Sequence, residues 1–325
     1  MAINLRSPYY TSTAVNNTAY ATLDISIWSG SVTSPVTSQY NLRKSVVGTS
    51  IEVLFEISEL IRDYLDITFD GNYSGQALWV KTVRTAYDSS NTSLVSASNT
   101  QIAFDGYWYF EEVQVVLPSL FITNRELFVL EDNVFRIPIY TSNNPTVVFY
   151  KDGEVIASEV FGSDTGSANQ IKYVSIYGDS VNWDTYQERI LNENGSYEDS
   201  SCLQSFFNSY SIGAVDKITI SDSNGIETIK VNVIEECKYE PKKVTFINKF
   251  GALQDMYFFK KAVEQMTIEK ESYKSNIISV YGQYSTSSHV NRDFNVVGKE
   301  SISLSSGYLS EEYNEVFKQL MLSEK

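Results

Sequence analysis

From Ala21 to Trp28 the chain reads ATLDISIW, with Leu23, Ile25 and Ile27 at one parity and Thr22, Asp24 and Ser26 at the other. A period of two is that of a strand with one buried face. Shorter stretches of the same kind follow at 51–55, 77–83 (ALWVKTV), 99–104 and 107–110, separated by Gly-, Asn- and Ser-rich turns such as DGNYSG at 70–75. Short strands at this spacing predict a β-sandwich. One segment departs from the pattern: Ser58 precedes ELIRDYL, whose apolar residues recur at helical spacing, which predicts a short helix with Ser58 as its N-cap.

Pro118 follows the run VQVVL and precedes fresh alternation, which sets a boundary near 116–120. Beyond it two hairpins are legible. PTVVFYKDGEVIASEVF (145–161) turns at Asp152-Gly153, and KITISDSNGIETIKVNVI (217–234) turns at Asn224-Gly225. Between them, 178–213 is polar and irregular and reads as a long surface loop with one short helical piece. From Val244 to Ile268 the chain runs VTFINKFGALQDMYFFKKAVEQMTI, five aromatic rings in twenty-five residues. Val244 and Phe246 alternate going in, and Met256 and Phe258 coming out, around Gly251, so a long hairpin is expected. Further strands are expected at 275–284 and 301–305. Gly307 then breaks the chain, and Ser310 is placed to cap a helix. That helix has Glu311 and Glu312 in its first turn, Tyr313, Val316, Phe317 and Leu320 on one stripe, and Lys318 towards its end.

These elements make a mainly β chain in three parts: a sandwich domain at 1–117, a second at 118–236 carrying the long loop, and a β-rich domain with one α-helix at 237–325. The length of 325 residues, with 42% apolar and 14% aromatic residues, suits two or three cores. Forty acids against twenty-five bases give a net charge of −15, with no basic stripe, which argues against nucleic acid or an anionic membrane as partner. The opening MAINLRSPYY lacks the layout of a signal peptide, and no apolar run approaches the ~20 residues that span a bilayer. Synthesis in the cytoplasm, with no membrane association, is the expectation.

Chemistry is sparse. The single histidine, His289, stands in STSSHVNRD, and no G-x-S-x-G elbow supplies a serine for a triad. Cys202 and Cys237 are too few for a disulfide framework and too far apart for a metal knuckle, and read as reduced, buried thiols. Asp222 to Glu227 (DSNGIE) lacks the spaced acids of a calcium loop, and Gly162 to Gly166 (GSDTG) is not followed by the Lys-Ser/Thr and helix of a phosphate loop. The pairs Glu111-Glu112, Glu235-Glu236 and Glu311-Glu312 fit domain junctions and a helix start better than an acid and base for glycoside hydrolysis. No catalytic residue, metal ligand or cofactor is expected.

The aromatic residues remain. A hairpin with rings on both faces buries one face in its own domain and needs a cover for the other, so Phe246, Phe250, Tyr257, Phe258 and Phe259 are candidates for a contact with a neighbouring subunit. Trp108, in DGYWYFEE, and Tyr173, Tyr177, Trp183 and Tyr186, beside the long loop, are candidates for surface contacts.

Together the opening MAINLRSPYY with TLDISIW, the segment IAFDGYWYFEE, VTFINKFGALQDMYFFKK and LSSGYLSEEYNEVFKQLMLSEK resemble virion structural proteins of tailed bacteriophages. The subunits in question are those of tail, collar or adaptor regions built from immunoglobulin-like domains. The resemblance implies consecutive immunoglobulin-like β-sandwich domains and a non-enzymatic structural role. It implies as partners other copies of the chain and other virion proteins, and as location the virion, after synthesis in the host cytoplasm. A receptor- or glycan-binding tail adhesin is the alternative, with Trp108 or the Tyr173 to Tyr186 group against a host surface glycan. In proteins of that kind the last domain continues past the helix with further strands, which this sequence lacks.

Overall fold

Alternation along the chain turns into layers. The computed structural model describes residues 2–47, 51–69, 71, 73, 77–109, 117–130, 133–162, 168, 170–177, 190–191, 197–198, 215–278, 281–287 and 289–324. The chain is mainly β, 52% strand and 7% helix. Its first elements are β1 (Ile3–Asn4), β2 (Tyr10–Ala14), β3 (Tyr20–Trp28), β4 (Tyr40–Ser45), β5 (Glu52–Glu56), α1 (Ser58–Arg62), β6 (Leu78–Tyr87) and β7 (Ser93–Phe104). A five-stranded sheet runs in the order β1-β7-β6-β3-β4, and β2 pairs with β5 separately. Every second residue of β3 is buried, as the sequence pattern requires. Leu23, Ile25 and Ile27 share a core with Val53 and Phe55 of β5 and Ile61 of α1, each such side chain contributing roughly 1.5–3 kcal/mol by leaving water.

The second set comprises β8 (Glu126–Leu130), β9 (Val134–Tyr140), a 3-10 turn (Thr141–Asn143), β10 (Thr146–Lys151), β11 (Glu154–Val160), β12 (Ile171–Tyr177), β13 (Ile190–Leu191), β14 (Tyr197–Glu198), β15 (Lys217–Asp222) and β16 (Gly225–Ile234). Its five-stranded sheet runs β11-β10-β15-β16-β8, and β9 pairs with β12. Val147 and Phe149 of β10, Ile218 and Ile220 of β15, and Ile229 and Val231 of β16 mark its buried face. The layering in both sets is β-sandwich-like. The long loop expected at 178–213 lies outside the described residues, apart from β13 paired with β14.

Both expected hairpins form. Asp152 and Gly153 adopt φ of 53° and 86°, the left-handed pair that a two-residue hairpin loop needs. The other loop is Ser223-Asn224, one residue earlier than the Asn-Gly pair suggests, because the Asp222 carboxylate accepts from the N–H of Asn224 (2.6 Å) and of Gly225 (3.2 Å). The same carboxylate accepts from Asn143 Nδ2 (3.3 Å) and from the Ser119 hydroxyl. Burial alone would raise the Asp222 carboxyl, but the hydrogen bonds from Ser119, the Asn224 N–H and Asn143 outweigh it and hold the group below the usual aspartate range.

The remaining elements are β17 (Lys242–Ile247), β18 (Leu253–Phe258), β19 (Val263–Lys274), β20 (Asn291–Ser303) and a C-terminal helix, α2 (Tyr313–Leu322). The chain forms two compact units. The first contains Met1–Glu235, Val244–Met256 and Leu309–Lys325, and the second Glu236–Lys243 and Tyr257–Tyr308. The stretch 237–325 is thus shared between them. In the first unit the β17–β18 hairpin turns on Asn248. Its carboxamide oxygen accepts from the N–H of Phe250 (3.0 Å) and Ala252 (3.2 Å), while its nitrogen donates to Phe121 O (2.5 Å) and Gln254 Oε1 (3.0 Å). Gly251 has φ +80°, and a Cβ there would lie 2.9 Å from the backbone of Asp105 and Gly106. A Cβ on Gly106 would lie 2.8 Å from Lys249 O. The hairpin tip therefore fits the Asp105-Gly106 backbone only as glycine against glycine.

That seam explains several departures from the expected elements. Tyr107 to Tyr109 do not form a strand, because the Tyr107 N–H donates to Lys249 O (2.8 Å) and the Trp108 N–H to Ser7 Oγ (2.8 Å). Ser58 is the first helical residue of α1 and not its cap; its N–H donates to Glu56 Oε1 (2.9 Å), as does its hydroxyl. α2 starts at Tyr313 with no side-chain cap, the Ser310 backbone carbonyl accepting the Tyr313 N–H (3.1 Å) instead. The helix buries Tyr313 and Val316 as expected, and also Gln319, whose Oε1 accepts the Lys249 N–H (3.2 Å) and whose Nε2 donates to Thr123 Oγ1 (3.2 Å). Cys237 is exposed, contrary to a buried thiol, because it sits in the irregular link after β16; Cys202 lies outside the described residues.

Gly251→Ala should lower the unfolding free energy by about 2 kcal/mol or more, through strain and overlap with the Asp105 backbone. Gly298→Ala, where a Cβ would meet nothing within 4 Å, should stay within about 0.5 kcal/mol of the parent; chemical denaturation measures both. Asp222 has its folded pKa below the unfolded value, so its ionised form stabilises the fold at neutral pH and that contribution is lost as pH falls through the folded value. The stability gap between the parent and Asp222→Asn should therefore be largest near pH 7 and close below roughly pH 4, the ordinary aspartate range.

Candidate assembly arm

The aromatic hairpin lies inside the chain. Phe246, Phe250, Tyr257, Phe258 and Phe259 are all buried. Phe250 stacks on Phe121 at 5.2 Å, Phe121 stacks on Tyr140 at 5.1 Å, and Phe104 meets Phe121 and Tyr140 edge-on at 5.9 and 5.8 Å. One continuous cluster of rings thus joins the two halves of the first unit. Every residue of β18 is buried, on both faces. Its polar members are accommodated by partners: Gln254 Nε2 donates to Asn124 Oδ1 (3.3 Å), and the Asp255 carboxylate accepts from Thr245 Oγ1 (2.8 Å) and from the Tyr73 hydroxyl. The cover that these rings require comes from the chain itself.

The candidate surface aromatics divide. Trp108 is half-buried against the same ring cluster. Tyr173 is also half-buried; its hydroxyl accepts the Leu253 N–H at 3.0 Å, and burial pushes that phenol well above its usual range. The side chain of Tyr177, and Trp183 and Tyr186, lie outside the described residues. Trp108 and Tyr173 therefore belong to the seam, 65 residues apart in sequence and brought together by the hairpin tip.

Ionisable groups at the seam are paired with one another. The Asp105 carboxylate lies 3.7 Å from Arg6 Nε and 3.6 Å from Arg62 Nε. Burial pushes that carboxyl up against the pull of both arginines, and Arg6 continues into hydrogen bonds with Asp105 O (2.9 Å) and Asn248 O (2.8 Å). No nucleophile or histidine stands beside the pair in those contacts. Among the described residues no three His, Cys, Asp or Glu side chains are placed to hold a metal ion, and no helix is long and apolar enough to cross a membrane. His289 is exposed, in the loop between β19 and β20.

The second unit carries the feature that the sequence pattern did not single out. Glu236 ties its two chain pieces, accepting from Lys260 Nζ (3.0 Å) and from the N–H of Lys238 (3.0 Å). From there β19 and β20 run as an antiparallel ribbon of 12 and 13 residues, every one of them exposed. The strand expected at 301–305 is present at 301–303 as the end of β20, while the described residues of the one expected at 275–284 are not in a strand; they lie between β19 and β20. The ladder closes at Lys274 opposite Asn291, and beyond it the Asn276 carboxamide accepts the Ile278 N–H (3.0 Å) while Gly282 takes φ +73°.

Register assigns the faces. Val263 opposes Ser303, Met266 opposes Glu300, and Ile268 opposes Gly298. Between Glu269–Val297 and Glu271–Phe294 one residue of β19 faces two of β20, a bulge in which Asn295 takes φ +47°. One face therefore carries Val263, Tyr273, Phe294 and Val297, between 46% and 55% exposed, with Tyr273 and Phe294 edge-on at 5.6 Å. The opposite face carries Met266, Ile268, Val296 and Ile302, between 50% and 59% exposed, beside the Lys270–Asp293 ion pair (2.7 Å). An isolated two-stranded ribbon is marginal in water, and this one displays apolar rows on both faces together with two edges that pair with no other strand among the described residues. No protein-family model matches the chain, and no curated protein matches it.

Phe250→Ala should cost about 3–5 kcal/mol of unfolding free energy, as expected for a buried ring. Ile268→Ser should stay within about 0.5 kcal/mol. Denaturation followed by tryptophan fluorescence, which reports the ring cluster at the seam, checks both.

Proposed function

We propose that this chain is a non-enzymatic structural component of a tailed-phage virion, in the tail or collar region, assembling with itself and with other virion proteins. The observation that carries the reading is the β19–β20 arm, exposed on both faces over its whole length while the rings of the 244–259 hairpin are buried. Eight half-exposed apolar side chains on a marginal ribbon are the pattern of a surface that is completed by another chain. Consecutive sandwich-like layers, which we read as immunoglobulin-like domains, would be the rigid body that presents it. The motifs resembling phage virion subunits support the location, and synthesis in the host cytoplasm followed by incorporation into the particle accords with it.

For the glycan-binding alternative, Trp108 and Tyr173 contribute to the seam, and the Tyr173 hydroxyl is engaged by the Leu253 N–H; that weighs towards an assembly role. Light scattering over a concentration series tests the assignment. The mass of the intact chain should rise with concentration, and replacing 262–304 by a short Gly-Ser link should return it to that of a monomer while the far-UV spectrum of the body persists. A parent chain that is monomeric at every concentration would count against self-assembly.

A further inference from the structure

The two faces of the arm differ in how their charges are laid out. Row by row, the face with Met266 and Ile268 sets Glu264 beside Ile302, Met266 beside Glu300, Ile268 beside Gly298, then Lys270 and Val296 at the bulge, Ser272 beside Asp293, and Lys274 beside Asn291. Two acids therefore stand at one end and two lysines at the other. Lys270 is paired with Asp293 at 2.7 Å, whereas Glu264, Glu300 and Lys274 have no ion-pair partner among the described residues. The acid end carries −2 and the lysine end, with its two Lys and one Asp, +1. On the other face Lys299 and Arg292 flank Glu269 and Glu271, so its two ends do not differ in sign.

A face polarised in this way is complementary to itself. Laid on a second copy with the strands antiparallel, the acid end of each comes over the lysine end of the other; laid parallel, acid meets acid and lysine meets lysine. Charge thus selects both the partner and its direction. Shape agrees with it. Among the charged positions stand Met266, Ile268, Val296 and Ile302, and beside Ile268 lies Gly298, where a Cβ would meet nothing within 4 Å. The Gly298 backbone is outside the left-handed region, so its conformation does not call for glycine. What the residue provides is a recess, open to an apolar side chain from a sheet packed face to face at ~10 Å.

We propose that the chain forms a two-fold dimer in which this face of the β19–β20 arm packs antiparallel on the same face of a second copy, acid end against lysine end. This rests on the assembly role proposed above and specifies its self-contact. The same patch is used by both copies, so the contact is isologous and closes at two. The opposite face, with Tyr273, Phe294 and Val297, is left open to other chains.

Charge reversal in trans decides it. One variant carries Glu264→Lys with Glu300→Lys and the other Lys274→Glu; all three positions are exposed, and the Lys270–Asp293 pair is kept. Far-UV spectra and denaturation midpoints matching the parent establish that both fold. By analytical ultracentrifugation over a concentration series the parent should be a monomer–dimer equilibrium. Each variant alone should dimerise at least about tenfold more weakly, because like charges then face each other, and an equimolar mixture should regain a dimer as tight as the parent's, with one of each. Gly298→Leu, which keeps every charge and fills the recess, should weaken the dimer with its midpoint unchanged, and Val297→Ser on the opposite face should leave it intact. Reversal variants that dimerise like the parent, or a mixture that remains monomeric, would overturn this contact and leave self-assembly standing through another surface, such as β7, which carries no charge and meets β1 only at Ala103 and Phe104. A dimer that survives Gly298→Leu but is lost in Val297→Ser would also overturn it, placing the contact on the opposite face. A parent that is monomeric at every concentration would remove this contact and self-assembly together.

Discussion

The close approach of two glycines organises this molecule. Gly251 at the tip of the β17–β18 hairpin lies against the backbone of Asp105 and Gly106, so tightly that a Cβ on either glycine would overlap the other strand's main chain. Two consequences follow from that contact. The Tyr107 N–H reaches Lys249 O, which takes residues 107–109 out of sheet pairing. Phe250 is carried onto Phe121, and through it to Tyr140 and Phe104. Without the hairpin the two sandwich-like sets would share a smaller apolar surface; with it, a ring cluster and an Asn248-centred polar network bridge segments more than a hundred residues apart. Asn248 suits this place because its carboxamide offers two donors and an acceptor that can be shared, and here all are engaged.

The seam also accounts for the polar side chains held in the interior. Gln254, Asn124, Gln319 and Thr123 form hydrogen bonds with one another or with the hairpin backbone, so that α2 is fixed by directional contacts as well as by Tyr313 and Val316. Such a network tolerates few alternatives, because any shift leaves a buried donor or acceptor unpaired at a cost of about 1–3 kcal/mol. Apolar packing alone would allow the helix to slide. The polar pairs set its register on the hairpin.

How much of this was legible in the sequence depends on what each signal reports. The alternation of β3, the turns at Asp152-Gly153 and around Asn224, the hairpin about Gly251 and the C-terminal helix are local signals, and they were readable because strand period, left-handed φ and helical spacing are properties of neighbouring residues. The destination of the aromatic residues was not. FINKFGALQDMYFF has rings at both parities, which says that two faces need cover and nothing about whether the same chain provides it. Asp105 and Gly106, far upstream, provide part of it. The arm escaped notice for the opposite reason. In VEQMTIEKESYK and NRDFNVVGKESIS apolar and charged residues are mixed on each face, so no periodic buried face stands out, and 275–284, richer in Ile, Val and Tyr, is the stronger strand candidate by composition. Mixed faces are what a strand exposed in one chain and covered in an assembly would show.

Edge protection differs from strand to strand. A chain that needed only to avoid aggregation would guard all its edges alike, and β4, β8 and β11 are guarded by charge. β7 is left without charge or proline along its whole length, although a single lysine among the exposed residues 93–100 would disturb no core contact, since those side chains are outside the core.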